Sequence, residues 1–195
     1  IIKSCAGTGN TTATAQHVAG IKKNSKVLSI TLRTSLSDQH AESFQNICMQ
    51  NYQDTKRNVC DSNALTICWN SLRKLEALTN EQIIKYIIDI DEKDSFSEFT
   101  HNDTLDYNLK ATTALLNSFI KHADKVIVTD ALINDNVFEF LKHRINNTTV
   151  YLKNEFQKYI DVPAVRLRDE NLFFNKLVES MQTDKYLLFG CDSCV

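Results

Sequence analysis

The chain has 195 residues, 43% of them hydrophobic and 24% charged, with a net charge of −2 at neutral pH. Those values suit one globular domain with a core, or a domain plus a fragment of a second. They exclude a global basic field for nucleic acid, so any such contact must come from a local groove, and no apolar run approaches the roughly 18 residues that span a bilayer.

In chain order, Ile1-Ile2 reads as the end of a strand, and SCAGTGNTT (Ser4–Thr12) as a turn of small residues opening a helix over Thr11–Val18. Lys26–Ile30 is a strand, followed by a hydroxyl-rich loop and a helix over Ser37–Met49 with Ala41, Phe44, Ile47 and Cys48 on one face. Strands follow at Leu65–Trp69, Tyr86–Ile90, Val126–Val128, Thr149–Leu152 and Tyr186–Phe189. Helices fall at Leu105–His122 and at Asn136–Ile145, where Val137, Phe140, Leu141 and Ile145 align, and again at Asn171–Met181. Strands this continuously apolar are buried parallel strands. Their alternation with helices makes an α/β domain, and only four glycines and one proline argue against a loop-rich β fold. Asp161–Asp169, around Pro163, reads as a linker.

The six cysteines are scattered, and Cys48, Cys68 and Cys191 sit inside apolar runs, the usage of a reduced, intracellular chain. Cys191 and Cys194 have the spacing of half a zinc site, with no second pair. His17, His40, His101, His122 and His143 show no metal spacing and are expected on the surface or hydrogen-bonded.

Four stretches can carry chemistry. Ser4–Thr12 has the form of a phosphate loop, in which glycines let backbone N–H groups approach phosphates and a helix start faces them. Its other reading is a glycine turn. Tyr86–Asp94 ends a strand in Asp91-Glu92, a pair able to hold Mg²⁺ and polarise water, or a plain acidic exit. In Ser29–Gln39, Arg33 and its neighbouring hydroxyls can meet phosphates, or Ser35 or Ser37 can cap the helix. Trp69–Lys74 repeats the pattern with Ser71, or is a solvated helix start.

Taken together, KSCAGTGNTT, SITLRTSLSDQ, CWNSLRKL, YIIDIDEKDSF, ADKVIVTDALIND and LLFGCDS resemble the ordered motifs of a superfamily 2, DEAD-like helicase. More narrowly they resemble the herpesvirus-type replication origin-binding protein family. The likeness spans nearly the whole chain. Arg-x-Ser-Leu-x-x-Gln is its most specific piece, and Thr129-Asp130-Ala131 stands where Ser-Ala-Thr is commoner.

The resemblance implies a RecA-like P-loop NTPase lobe, a parallel sheet flanked by helices, over residues 1–160 with its beginning cut away. It implies a linker and helix over 161–184, and at 185–195 the first strand of a second helicase lobe that lies outside this chain. ATP and Mg²⁺ are the implied cofactors. Ser4, Gly7, Thr8, Gly9, Asn10, Thr11 and Thr12 would surround the phosphates, Thr11 and Asp91 would hold Mg²⁺, and Asp91 and Glu92 would be catalytic. Thr129, Asp130 and Ala131 would couple the ATP site to DNA. Arg33, Ser35 and Ser71 would lie along a single DNA strand or a replication origin. The implied setting is intracellular, the nucleus or a viral replication site, with no membrane partner.

One position departs from the family: Asn10 stands where the phosphate-loop lysine is expected. Its shorter, uncharged side chain is expected to point toward the phosphates and stop short. A lost contact of that kind is typically worth about 3–4 kcal/mol in a transition state. The second reading is therefore a nucleotide- or DNA-binding remnant that does not hydrolyse ATP. A small P-loop phosphotransferase would need an arginine-rich lid, and Leu75–Lys125 contains no arginine.

Overall fold

The computed structural model describes residues 1–4, 9–56, 58–91, 109–131, 133–146 and 148–156, together with 172, 174, 175, 178 and 179. Two compact units are distinguished, Ile1–Lys158 and Tyr159–Val195. In the second, the described residues are helical and exposed. The expected linker, the strand at Tyr186–Phe189 and the Cys191/Cys194 pair lie outside the described residues.

The first unit is built on seven parallel strands in the order β3-β4-β2-β5-β6-β1-β7. They are β1 (Ile2–Lys3), β2 (Lys26–Thr31), β3 (Gln50–Asn51), β4 (Ala64–Cys68), β5 (Tyr86–Asp91), β6 (Lys125–Asp130) and β7 (Leu152–Lys153). β4 is buried throughout, as are β2 and β5 apart from one end residue each. That is why they read as apolar runs rather than as alternating ones. Helices α1 (Asn10–Ile21), α2 (Thr34–Ser43), α3 (Asn80–Ile83), α4 (Leu109–His122) and α5 (Asp135–Leu141) complete the frame.

Each face of the sheet has its own core. Leu28, Ile30, Leu65, Ile67, Ile88, Ile90 and Val128 pack against Leu116, Phe119 and Ile120 of α4 and Val137 and Leu141 of α5. The burial of Thr112, Leu116, Phe119 and Ile120 follows the i, i+4, i+7, i+8 stripe of an amphipathic helix. On the other face Val27, Ala64 and Ile87 pack against Ala15 and Val18 of α1, with Phe44 and Met49. Here each central strand turns polar toward its carboxyl end: Val27 gives way to Ser29 and Thr31, Ile87 to Asp89 and Asp91, and Ile127 to Thr129. A pocket of hydroxyls and carboxylates therefore forms under the carboxyl edge.

Several elements differ from expectation. The helix read as Ser37–Met49 runs instead from Thr34 to Ser43, followed by a 3₁₀ turn at Gln45–Ile47. Phe44 is fully buried, and Cys48, at φ 56, is exposed while Met49 enters the core. The apolar stripe continues past the point where the backbone turns toward β3. α5 stops at Leu141, leaving Ile145 42% exposed. β7 is two residues at Leu152–Lys153 rather than Thr149–Leu152. No helix among the described residues is long and apolar enough to cross a membrane.

Candidate functional site

Parallel strands deliver their following loops to one edge, where ligands of open α/β sheets bind. Ser4 leaves β1 there and is firmly held. Its N–H donates to the Asp130 carbonyl of β6 at 3.1 Å, and its hydroxyl accepts from Asn154 Nδ2 at 2.8 Å. At the far side of the loop Gly9 has φ 85, a conformation that favours glycine, and a β-carbon there would meet nothing within 4 Å. Among the described residues nothing crowds the backbone at this point. α1 starts at Asn10 with no side-chain cap and no acidic residue in its first turn, which leaves the positive end of its dipole uncompensated by a side chain. Thr11 is half-buried and Thr12 exposed. Gly7 and Thr8 lie outside the described residues.

Asn10, expected to point toward bound phosphates and stop short of them, turns its amide to the loop itself. Its Nδ2 donates back to the Ser4 carbonyl at 3.1 Å. An amide on a two-bond stem is the right length to close the loop on itself, whereas a lysine would extend past it. Asn10 fastens the two ends of the turn together.

The acidic strand lies two strands away, with β6 between it and β1. β6 touches both: Asp130 receives the Ser4 N–H, and Thr129, in register with Asp91, donates its hydroxyl to Asp91 Oδ1 at 2.8 Å. Asp91 Oδ2 receives His40 Nε2 at 3.0 Å. His40 projects from α2 and is 2% exposed, stacked on Phe44 with ring centroids 5.8 Å apart. Its Nδ1 lies 2.7 Å from Ser29 Oγ and 3.6 Å from Asp89 Oδ2, and Ser29 Oγ is 3.0 Å from the same carboxylate oxygen. Glu92 lies outside the described residues. Ala131 is exposed just beyond β6.

Hydrogen bookkeeping in this chain permits two arrangements. Ser29 has one proton. When Ser29 donates to Asp89, Nδ1 must donate to Ser29. The ring, donating also to Asp91, is then an imidazolium between two carboxylates. When Asp89 also carries a proton, on Oδ1, Ser29 still donates to Oδ2 and Nδ1 to Ser29, and the group as a whole holds one proton more. Burial, reinforced by the Asp91 charge and opposed by His40 and Ser29, pushes Asp89 up to about 6. Asp89 Oδ1 has no hydrogen-bond partner among the described residues.

The expected strand-facing residues follow the neighbouring strands β2 and β4. Arg33 and Ser35 are exposed at the start of α2, and Ser71 is half-buried in the 3₁₀ turn Trp69–Leu75. Thr31 and Cys68 are in register, and Cys68 Sγ donates to the Leu32 carbonyl at 3.1 Å, so the two loops leave the edge side by side. Neither Ser35 nor Ser37 caps α2: Arg33 occupies the cap position, and Ser37 Oγ pairs with Thr31 Oγ1 at 2.6 Å. A separate cavity of about 840 Å³ opens by Lys22, Asn51 and Ala64, toward the amino ends of the strands, and none of the expected site residues lines it.

Ser29, His40 and Asp89 are the residues that motif reasoning passes over. The signal for two of them was present: Ser29 and Asp89 are polar positions inside otherwise apolar strands.

No family model and no curated protein sequence matches the chain. Solved structures do. The chain aligns with the UvsW helicase of bacteriophage T4 at a TM-score of 0.50 and 14% identity, covering 73% of this chain and 50% of that one. A DEAD box protein of the hyperthermophile Methanococcus jannaschii gives 0.52 and 11%, covering 78% and 44%. S. cerevisiae Dbp5 bound to RNA and ADP BeF3 gives 0.52 and 16%, covering 80% and 41%. At these identities the likeness establishes the fold: a RecA-like lobe similar to superfamily 2 helicase domains. The chain spans half or less of the length of each of these proteins.

The donors at the carboxyl edge are hard oxygens, the Thr11 hydroxyl and the Asp91 carboxylate, the latter 18% exposed. Among the described residues no cluster of three or more His, Cys, Asp or Glu could hold a metal. Mg²⁺ bound through one or two protein oxygens, waters and phosphates needs no such cluster, so the residues fit it.

Proposed function

We propose that the chain is the ATP-binding first lobe of a superfamily 2 helicase of the replication origin-binding type, acting on DNA together with a second lobe outside this chain. Residues 1–160 form that lobe, 161–184 a linker and helix, and 185–195 the first strand of its partner. The observation that carries the reading is the double contact of β6: Asp130 holds the start of the phosphate loop while Thr129 holds Asp91. One strand thereby ties the phosphate-binding end of the site to its acidic end.

In this reading the Ser4–Thr12 backbone and the α1 N-terminus receive the phosphates. Thr11 and Asp91 hold Mg²⁺, which supplies charge neutralisation, and Glu92 orients water. Thr129, Asp130 and Ala131 pass nucleotide state onward, and Arg33, Ser35 and Ser71 face a single strand. The bond from Asn10 to the Ser4 carbonyl favours a second reading, a lobe that binds nucleotide weakly and does not hydrolyse it. Both readings are tested by measuring affinity for a fluorescent ATP analogue, and for single-stranded DNA and RNA of one sequence. Nucleotide binding with a preference for DNA supports the proposal. A preference for RNA overturns the replication assignment, and binding of neither overturns the whole.

A further inference from the structure

Helix α2 joins two regions that motif reasoning treats separately. Its first residue, Thr34, follows Arg33, which is proposed to face a strand, and His40 lies six residues beyond Thr34, about 9 Å along the axis at about 1.5 Å per residue. Two successive turns of the helix are bonded to the sheet, through Ser37 to Thr31 at 2.6 Å and through His40 to Ser29 at 2.7 Å and Asp91 at 3.0 Å. The His40 ring is 2% exposed and stacked on Phe44, so it cannot swing clear without α2 moving. A displacement at Arg33 that carries α2 with it therefore changes the His40–Asp91 contact or breaks it.

We propose that His40 is a positioning residue: it orients the Asp91 carboxylate, and through α2 it hands to that carboxylate the movement of Arg33 and the first turn of the helix when a nucleic-acid strand binds. The proposal rests on the nucleotide- and strand-binding reading above. His40 touches neither ligand and acts only through Asp91. Coupling of this kind is reciprocal, so bound nucleotide tightens strand binding by the factor by which strand tightens nucleotide.

Two substitutions separate this role from simple core filling. His40→Gln keeps a donor near the Nε2 position facing Asp91, and His40→Asn keeps only the polar atom near Nδ1 facing Ser29. The assay is affinity for a fluorescent ATP analogue with Mg²⁺, with and without a single-stranded oligonucleotide. The native chain and His40→Gln are expected to bind the analogue about five-fold more tightly with oligonucleotide present, and His40→Asn equally with or without it. A purely structural histidine would make the two variants alike.

A second readout uses the native chain labelled with ¹⁵N-histidine, its five histidines assigned by single replacement. Oligonucleotide is expected to shift the His40 imidazole signals, and Arg33→Ala, at an exposed position, to abolish that shift even should the His40 variants fail to fold. Strand binding with unmoved His40 signals, or undiminished coupling in His40→Asn, overturns this inference and leaves the function reading standing. Absence of both strand and nucleotide binding overturns both.

Discussion

Asp89→Asn isolates the cost of burying a carboxylate in the core of β5. Burial, with the smaller effects of His40, Asp91 and Ser29, raises Asp89 from 3.8 to about 6. The folded state therefore holds a proton that the unfolded chain has already released between those values. Stability contributed by the neutral acid is complete below about pH 4 and is lost as pH rises to about 6. That gap, at about 1.4 kcal/mol per pH unit, amounts to about 3 kcal/mol. Asparagine keeps an acceptor for Ser29 and cannot ionise. Its second polar atom takes the place of the unpartnered Oδ1 and adds a cost that does not vary with pH. The slope is thus the readout, not the absolute stability. Urea unfolding of both proteins from about pH 4 to 7 should show the variant gaining about 3 kcal/mol on the native chain between about pH 4 and 6, then running parallel. A difference independent of pH would refute the reasoning.

Thr129→Val removes the hydroxyl bonded to Asp91 Oδ1 at constant shape. It should cost about 2 kcal/mol in urea unfolding, with Thr129→Ser recovering most of it. Phe119→Ala empties a fully buried site packed edge-on to Tyr86, ring centroids 6.0 Å apart, and should cost about 3–5 kcal/mol by the same measurement. Arg33→Ala, on an exposed side chain, should change stability by no more than about 0.5 kcal/mol. It should also lower the salt slope of single-strand binding by about 0.7, so an unchanged slope would remove Arg33 from the strand path.

The sheet was legible because its central strands are buried on both faces and so appear as short apolar runs. The order of motifs at strand ends put Ser4, Asp91, Arg33 and Ser71 at or after the ends of their strands, on the one edge to which the parallel sheet delivers them. The polar pocket beneath that edge was half legible: Ser29 with Thr31, and Asp89 with Asp91, are polar at alternate positions of apolar runs, the period of one sheet face. His40 was not, since its partners Ser29 and Asp91 are 11 and 51 residues away and only the register of β2 and β5 brings them together. The extent of α2 was misread because apolar spacing continues through Phe44 and Ile47 while the backbone has already turned. For Asn10 the residue type revealed the missing charge but not the direction of the amide, which depends on the Ser4 carbonyl six residues back.

The central claim is that Ser4–Thr12 holds the phosphates of a nucleotide despite Asn10. The most direct measurement is the affinity for ATP and for AMP of the native chain and of Asn10→Lys, in Mg²⁺. The substitution gives up the amide bond to the Ser4 carbonyl and supplies a cation able to reach the outer phosphates. A charge-assisted bond of about 1.5–3 kcal/mol predicts that Asn10→Lys binds ATP about ten-fold or more tightly than the native chain, with little change for AMP. Equal affinity of the two proteins for ATP, or no binding of ATP by either, would contradict a phosphate-binding loop at this edge.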